Sequence, residues 1–367
     1  MADIIISPSK YIQGKGVIKE LSKYVNVRAK KIFCLISGSG YKRVGEFVES
    51  DFEKSDSSII IKIFEGECIY KDINEVAKQA QNAQCDAVMA IGGGKIIDTA
   101  KAAAEIIGAM CFVVPTVAST DAPCSALSII YDEKGDIADF MFLKKNPDMV
   151  IVDCEVVSKA PVRLLSAGMG DALSTYIEAK KAYAANGINC SGGTSTNAAY
   201  ALAKLCYEII KNDGYKAYQA VKNGVCTKAV ENVIEANTYL SGIGFESCGL
   251  CAAHPINEGL SLIKECEPYY HGEKVAFGAL TQLVLENAPM EEITEIMKVL
   301  HSVHLPITLA ELGITQNIDE NLKIAAAHAA GANTAIHNLP MEVTTETVFA
   351  ALKTADALGR EFKKARE

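Results

Sequence analysis

The feature that most constrains the fold of this chain is the alternation of short β-branched runs with helical patterns through its first 155 or so residues. This alternation predicts a parallel sheet with helices packed on its faces. The predicted strands are residues 31–36, 58–64, 87–91, 111–114 and 149–152. A helix that buries one face is predicted between the second and third strands, where apolar residues recur at a spacing of about 3.6. These residues are Ile73, Val76, Ala77 and Ala80.

After Pro161 the sequence changes character, because β-branched runs disappear and Ala, Leu, Lys and Glu dominate. Residues 197–211 and 227–240 are predicted as helices, and the stretch 186–197, rich in Ser, Thr, Asn and Gly, as a loop before the first of them. At roughly 150 residues per domain, a chain of 367 residues accommodates two domains. We therefore expect an α/β domain over residues 1–160 and an all-α domain over residues 161–367.

Composition and charge exclude several classes of protein. With 49% hydrophobic and 22% charged residues, the chain has the composition of an ordinary folded protein. Its 36 Lys and Arg against 45 Asp and Glu give a net charge of -9, so no overall field attracts nucleic acid or anionic lipid. The longest uncharged stretch, residues 182–203, contains too many Asn, Gly, Ser and Thr residues to cross a membrane.

The cysteine residues indicate the compartment. Twelve of them are spread from Cys34 to Cys266, through a chain too long to need disulfide bonds for its stability. The N-terminal segment contains only the apolar run 4–6, which is too short for a signal peptide. We therefore expect reduced thiols and a cytoplasmic protein.

Two glycine-containing turns follow predicted strands. The turn Gly92-Gly93-Gly94-Lys95 follows the strand 87–91, and free amides at a helix start with a lysine beside them favour an anion such as a diphosphate. A Gly triplet is also a common tight turn, so taken alone the two interpretations have equal weight. The turn 37–40 follows the strand 31–36 at the edge where open α/β sheets bind ligands. Two such turns favour a dinucleotide.

A loop rich in hydroxyl groups, residues 115–125, follows the strand 111–114. Loops in this position often carry ligand contacts. The alternative is that its Thr, Ser and Asp side chains only cap turns and that its two prolines stiffen them. The residues by themselves leave both interpretations open.

The helical half contains all six His residues, and their spacing matches no local metal motif. The segment Cys248-Gly-Leu-Cys251 has the spacing of half a zinc site or of a redox pair. The second C-x-x-C of a structural zinc ribbon is missing. We therefore expect these two thiols to pack as small apolar side chains on a helix.

Several separated blocks carry a resemblance to a known family. They are residues 91–101 (IGGGK to DTAK), 119–127 (STDAPCSAL), 168–172 (GMGDA), 235–242 (EANTYLSG), 244–247 (GFES) and 270–278 (YHGEKVAFG). Together they resemble the iron-containing, or group III metal-dependent, alcohol dehydrogenases. The likeness runs from Tyr11 to the C-terminus.

The resemblance implies a Rossmann-like parallel-sheet domain followed by an all-α domain, the dehydroquinate synthase-like fold, with a metal in the cleft between them. By the family's pattern the metal ligands are Asp171, His254 and His271. One carboxylate and two imidazoles leave zinc a fourth position open, as a catalytic site requires. Iron-dependent relatives carry a further His where this chain has Thr175, so the resemblance implies zinc (Zn2+) rather than iron (Fe2+).

The reaction implied by the resemblance is oxidation of glycerol to dihydroxyacetone, and its reverse, with NAD and with the metal as a Lewis acid on the substrate hydroxyl. Besides the metal ligands, Asp121 is implied in catalysis, and Asp121, Phe245 and His254 in substrate binding. The implied cofactor contacts are Ser37, Gly93, Gly94, Lys95, Asp98, Thr116, Ser119, Ser125, Leu127 and Tyr131. A homo-oligomer is also implied.

Two departures from the family's pattern leave alternatives open. Ser37 stands where the family usually has an Asp that accepts the ribose hydroxyls, so NADP is not excluded. Asn257 stands where the family usually has a His facing the substrate, and an amide cannot exchange protons. The alternatives are another small 1,2-diol or α-hydroxy carbonyl, a glycerol-phosphate substrate, or a metal-binding or scaffolding protein without catalysis. A polyol dehydrogenase is favoured because the cofactor turn and the metal ligands are retained together.

Overall fold

The computed structural model describes residues 1–366 and divides the chain into two compact units. The sheet unit comprises Ile6–Ala160 and Gly224–Cys226. The helical unit comprises Met1–Ile5, Pro161–Asn223 and the chain from Thr227 onward. Among residues 1–366, no helix combines the length and the apolar character needed to span a bilayer.

The sheet unit contains eight strands: β1 Tyr11–Gly14, β2 Lys31–Ile36, β3 Ser58–Ile63, β4 Ala87–Gly92, β5 Met110–Pro115, β6 Leu127–Tyr131, β7 Ile137–Phe142 and β8 Met149–Asp153. Six of them form a parallel sheet in the order β1-β8-β5-β4-β2-β3. The other two, β6 and β7, pair antiparallel as a separate hairpin. Strands β4 and β8 are buried along their whole length, which explains why their sequences are continuous apolar runs without alternation.

The predicted parallel α/β architecture is confirmed. All five predicted strands are present, as β2, β3, β4, β5 and β8, and each ends within one residue of its predicted bounds. Strand β1 and the hairpin are not predicted from the sequence. The reason is that β1 has only four residues, all half-buried, and that β7 is exposed along most of its length, so neither shows a pattern of buried positions.

Six helices belong to the sheet unit: α1 Leu21–Val25, α2 Gly38–Gly40, α3 Glu46–Phe52, α4 Tyr70–Asn82, α5 Gly94–Ile107 and α6 Cys154–Ser158. Residues 41–45 join α2 to α3 as a π-helical turn. The predicted apolar stripe of α4 is buried, as expected. Helix α5 starts two residues after β4 and ends at Gly108, whose φ of 67° lies in the left-handed region that glycine tolerates.

Nine helices follow in the described part of the helical unit: α7 Val162–Ala184, α8 Asn197–Lys222, α9 Lys228–Glu235, α10 Ser241–Cys248, α11 Ala253–Ser261, α12 His271–Leu285, α13 Met290–Ser302, α14 Ile318–Ala329 and α15 Thr345–Lys364. A π-helical turn, residues 236–240, joins α9 to α10. The predicted loop 186–197 separates α7 from α8, and the two predicted helices lie within α8 and across α9 and the π-helical turn.

Glycines allow three helices of this unit to touch backbone to backbone. A Cβ on Gly272 of α12 would overlap the carbonyl oxygen of Ala167 of α7, and a Cβ on Gly170 of α7 would overlap the carbonyl oxygen of Gly272. A Cβ on Gly278 of α12 would overlap the carbonyl oxygen of Ala253 at the start of α11. The close approach of α7, α11 and α12 therefore requires glycine at these positions.

Candidate functional site

Three side chains that can bind a metal converge in the helical unit. Asp171 lies in the middle of α7, His254 is the second residue of α11, and His271 is the first residue of α12. Asp171 Oδ1 is 3.6 Å from His254 Nε2 and 3.3 Å from His271 Nε2. The ligand atoms of the three residues lie within 4.8 Å of one another, close enough for a single ion to contact all of them.

The glycine contacts lie directly beside two of these side chains. Gly170 precedes Asp171, and Gly272 follows His271. Since the backbones of α7 and α12 touch at these glycines, the crossing sets the distance between the carboxylate and the imidazole.

An ion pair fixes the N-terminal end of α12, where His271 lies. Arg163, in the first turn of α7, donates through Nε and Nη2 to the Glu273 carboxylate at 2.7 and 2.8 Å. Glu273 also accepts a hydrogen bond of 2.7 Å from the backbone N–H of Tyr270 and so caps α12. The first turn of α12, which carries His271, is thereby tied to α7.

The charges around these side chains favour a cation. Burial by itself would raise the pKa of Asp171, but His271 and His254 outweigh it and hold that pKa well below the usual range. Burial by itself would lower the pKa of His254, but Glu178 and Asp171 hold it well above the usual range. A buried, ionised carboxylate beside two imidazoles is a donor set that zinc and iron both accept, so the residues present fit a divalent metal.

The two positions at which a further His was considered also lie here. Asn257, one turn after His254 on α11, has its Nδ2 atom 3.2 Å from His271 Nδ1. Thr175, one turn after Asp171 on α7, is buried, and its hydroxyl oxygen lies 2.8 Å from that of Ser241. Among residues 1–366, no fourth His, Cys, Asp or Glu joins the group.

The two cysteines of the C-x-x-C segment are buried and unlinked. Cys248 is the last residue of α10, and burial raises its pKa to about 11. Cys251 does not lie on a helix as expected; it lies between α10 and α11, because the left-handed φ of 94° at Gly249 ends α10. Its Sγ donates to the backbone oxygen of Glu178 at 3.4 Å. Packing as the role of both thiols stays a prediction.

In the sheet unit, several predicted cofactor residues lie at one edge. Ser37 follows β2, Gly93 and Gly94 follow β4, and Thr116 follows β5. These three strands are neighbours in the parallel sheet, so their carboxyl ends lie side by side. Backbone amides at the start of α5 and small polar side chains are thus brought together where open α/β sheets bind ligands.

A buried lysine organises the loop beyond β5. Lys101 of α5 is almost completely buried, and its Nζ lies 2.9 Å from Asp98 Oδ1. The same Nζ donates to the backbone oxygen of Ala122 at 2.9 Å, to Ser125 Oγ at 3.3 Å and to the backbone oxygen of Leu127. Asp98 and Ser125 are therefore engaged in holding the loop, and the sequence interpretation had not assigned this role to Lys101.

The remaining predicted residues differ in their exposure to solvent. Lys95 is half exposed and pairs with Glu67 at 2.5 Å. Ser119 and Asp121 lie half-buried in the loop between β5 and β6, and Tyr131 is the exposed end of β6. Phe245 is buried within α10 of the helical unit. The roles predicted for these residues stay predictions.

Sequence reasoning missed Glu178, whose carboxylate contacts His254 Nδ1 at 2.5 Å. A signal was available, because Glu178 follows Asp171 by seven residues on α7 and so lies two turns further along the same face. Two acidic residues at this spacing indicate a polar environment on that face of α7.

Comparison with known proteins places the chain in a family. A sequence model of the iron-containing alcohol dehydrogenases matches residues 8–154. Glycerol dehydrogenase of Escherichia coli O6:H1 is 48% identical over 366 residues, which cover 99% of each chain. The chain therefore belongs to the iron-containing alcohol dehydrogenase family and is an oxidoreductase, and the resemblance seen in its sequence is confirmed.

Two further proteins are similar to this chain over almost its whole length. The crystal structure of a probable glycerol dehydrogenase from Sinorhizobium meliloti 1021 matches with a TM-score of 0.93 at 40% identity, covering 98% of this chain and 100% of that chain. Glycolaldehyde reductase of Halobacterium salinarum is 40% identical over 366 residues, 98% of this chain and 99% of the relative. The predicted two-part fold is thereby confirmed.

Proposed function

We propose that this chain is a metal-dependent glycerol dehydrogenase that interconverts glycerol and dihydroxyacetone with NAD. The observation that carries this proposal is the convergence of Asp171, His254 and His271 in a chain that is 48% identical, almost end to end, to a glycerol dehydrogenase. Glycerol and NAD+ give dihydroxyacetone, NADH and a proton, because the carbinol carbon loses a hydride to the nicotinamide and the hydroxyl loses its proton to solvent.

Asp171, His254 and His271 are assigned as the ligands of a resident zinc ion. When bound, zinc supplies Lewis-acid chemistry at the substrate hydroxyl. With only three protein ligands, the ion would keep a position for that hydroxyl. Thr175 supports zinc over iron, because its hydroxyl is directed to Ser241 and adds no imidazole to the group.

The cofactor is assigned to the carboxyl edge of the sheet unit. Gly93 and Gly94 offer backbone amides to the diphosphate at the start of α5, and Lys95 adds a positive charge. Lys101 fixes the loop that carries most of the nicotinamide contacts. These contacts are assigned to Thr116, Ser119, Ser125, Leu127 and Tyr131. Asp121 and Phe245 are assigned to the substrate.

A second candidate is the reduction of a small α-hydroxy aldehyde. It is favoured by the similarity to a glycolaldehyde reductase and by Asn257, which offers an amide beside His271 where the family pattern has an imidazole.

One assay separates the candidates. Rates are measured with glycerol, 1,2-propanediol and glycerol 3-phosphate in the oxidative direction, and with glycolaldehyde and dihydroxyacetone in the reductive direction, each with NAD and NADP cofactors, on protein of known metal content. We expect one zinc per chain, with glycerol the best alcohol and dihydroxyacetone the best carbonyl substrate by kcat/KM. Preference for glycolaldehyde would select the second candidate, and absence of turnover with every substrate would reject both.

The cofactor assignment predicts the effect of Ser37→Asp. Ser37 Oγ accepts from the Gly40 N–H at 2.9 Å, and Asp caps a helix equally well, so the variant is expected to fold. A carboxylate here accepts a ribose hydroxyl and repels a 2′-phosphate. We expect the NAD-over-NADP ratio of kcat/KM to rise by about tenfold or more. Ser58→Asp, which adds the same charge at the exposed start of β3, is the control and should leave the ratio unchanged. Equal ratios in both variants would show that residue 37 does not contact the ribose.

A further inference from the structure

A second carboxylate contacts the candidate ligand His254 from the side opposite Asp171. Glu178 Oε2 lies 2.5 Å from His254 Nδ1, and the Glu178 side chain is fully buried. Asp171 Oδ1 lies 3.6 Å from the other ring nitrogen, Nε2. The imidazole is therefore held between two carboxylates of the same helix, and only Nε2 faces the other candidate ligands.

The second oxygen of Glu178 is already engaged. Oε1 accepts hydrogen bonds from the backbone N–H groups of residues 251 and 254, at 2.9 and 3.2 Å. The N–H groups of residues 252 and 253 donate to Gln282 Oε1 of α12, at 2.9 and 3.1 Å. Two buried side chains from other helices thus satisfy the amides at the start of α11, where a helix has no partners of its own for them.

We propose that Glu178 is a positioning residue that fixes His254 in the tautomer with its proton on Nδ1 and so presents Nε2 to the metal. An ionised carboxylate has no hydrogen to donate, so the hydrogen of the 2.5 Å contact belongs to Nδ1. Because Nδ1 keeps this hydrogen, the proton released on metal binding would be the one on Nε2, whose lone pair would then be available to the ion. This inference rests on the metal site proposed above and specifies how one ligand is prepared for it.

The hydrogen bonds around Glu178 require a side chain that accepts hydrogen bonds and donates none, because both of its oxygens face N–H groups. In Glu178→Gln, one orientation of the amide keeps Oε1 on the two backbone N–H groups and turns its NH2 toward Nδ1, which must then accept. The imidazole proton moves to Nε2, and the ligand atom is lost. The opposite orientation keeps the bond from Nδ1 but points the NH2 at two backbone donors. Each arrangement gives up either the metal ligand or two buried hydrogen bonds.

The test is metal binding to the full chain after dialysis against a chelator. Wild type and Glu178→Gln are titrated with Zn2+, and with Co2+, whose visible absorption reports the ligands. We expect Zn2+ to bind about 10- to 100-fold more weakly to Glu178→Gln, the usual effect of removing the partner of a ligating His, and the Co2+ spectrum to change. Unchanged affinity and spectrum would overturn the proposal.

Gln282→Met is the matched control, because it removes the other acceptor at the start of α11 and because the hydrogen bonds of Gln282 join it to backbone groups of residues 252, 253 and 177. Its thermal unfolding temperature without metal should fall, as that of Glu178→Gln does, while its Zn2+ affinity stays within about threefold of wild type. Equal loss of Zn2+ affinity in both variants would show that the helix start matters and the tautomer does not.

Glu178→Asp keeps an acceptor-only side chain that is one carbon shorter. Its Zn2+ affinity is expected to lie between those of Gln282→Met and Glu178→Gln, and the reverse order of the two Glu178 variants would contradict the proposal. If Glu178→Gln does not fold, the Zn2+ affinities of Glu178→Asp and Gln282→Met are compared instead. Equal affinities of these two variants would overturn the proposal. A wild-type chain that binds neither Zn2+ nor Co2+ would instead reject the proposed metal site itself.

Discussion

Asp171→Asn is expected to abolish metal retention and to lower kcat by at least about a thousandfold, which corresponds to roughly 4 kcal/mol of lost transition-state stabilisation. Asn keeps the shape of the side chain but removes the only negative charge among the three assigned ligands. Two neutral imidazoles alone do not hold a divalent ion firmly. Zinc content after dialysis, kcat with glycerol and the far-UV circular dichroism spectrum of the same preparation measure the three quantities.

Asp356→Asn is the control for removing a buried carboxylate from the same unit. Asp356 of α15 accepts from the Leu309 backbone N–H at 2.9 Å and pairs with Arg360 at 3.1 Å, and neither of these partners is a candidate ligand. This variant is expected to lose stability and to keep its zinc. Full zinc and near-normal turnover in Asp171→Asn would mean that Asp171 is not a ligand.

Gly272→Ala is expected to lower the free energy of unfolding by about 2 kcal/mol and to weaken zinc binding by roughly tenfold. The added methyl group meets the backbone oxygen of Ala167, which no rotamer change can move, so the cost falls at the upper end of the roughly 1–3 kcal/mol typical of overpacking. The better helix propensity of Ala returns up to about 1 kcal/mol. Since His271 is the preceding residue, the shift of α12 also displaces a ligand. Denaturant unfolding without metal and a Zn2+ titration measure the two effects.

Gly214→Ala provides the comparison within a helix of the same unit. The nearest atom to a Cβ there is Met169 Sδ of α7 at 3.1 Å, which belongs to a flexible side chain and not to the backbone, and residue 214 lies in α8, which carries none of the three candidate ligands. Stability and zinc affinity should both stay close to wild type. If Gly272→Ala were equally well tolerated, the contact between α7 and α12 would not set the geometry of the site.

The sequence predicts the parts of the fold that have a local signal. Strands such as β4 are continuous apolar runs followed by glycines, so their position and their carboxyl ends follow from the residues themselves. The short edge strand β1 and the exposed strand β7 depend on their partners for their structure. Periodicity therefore gave no reason to predict them.

The candidate site also combines residues that the sequence identifies with residues that only the three-dimensional structure reveals. Asp171, His254 and His271 were identified because the family resemblance covers their blocks, whereas spacing alone did not relate residues up to 100 positions apart. Buried groups near them, such as Glu178 and Gln282, accept hydrogen bonds from backbone amides of a distant segment. Only the packing of α7 and α12 against the start of α11 brings these groups into contact. The seven-residue spacing of Asp171 and Glu178 indicates that they share a face of α7, but it does not identify the segment that this face contacts.

The glycine contacts of α7, α11 and α12 affect which residues of the chain can change during evolution without moving the candidate ligands. At these crossings the spacing of the candidate ligands depends on main-chain atoms, which are the same in every sequence, so substitutions elsewhere in the core do not propagate into that spacing. Phe245, which is assigned to the substrate, and Asn257, which lies beside His271, can then change and alter which alcohol is oxidised. Selection acts on them one substitution at a time, while a side chain at Gly170, Gly272 or Gly278 would meet a backbone oxygen and lower the stability of the chain.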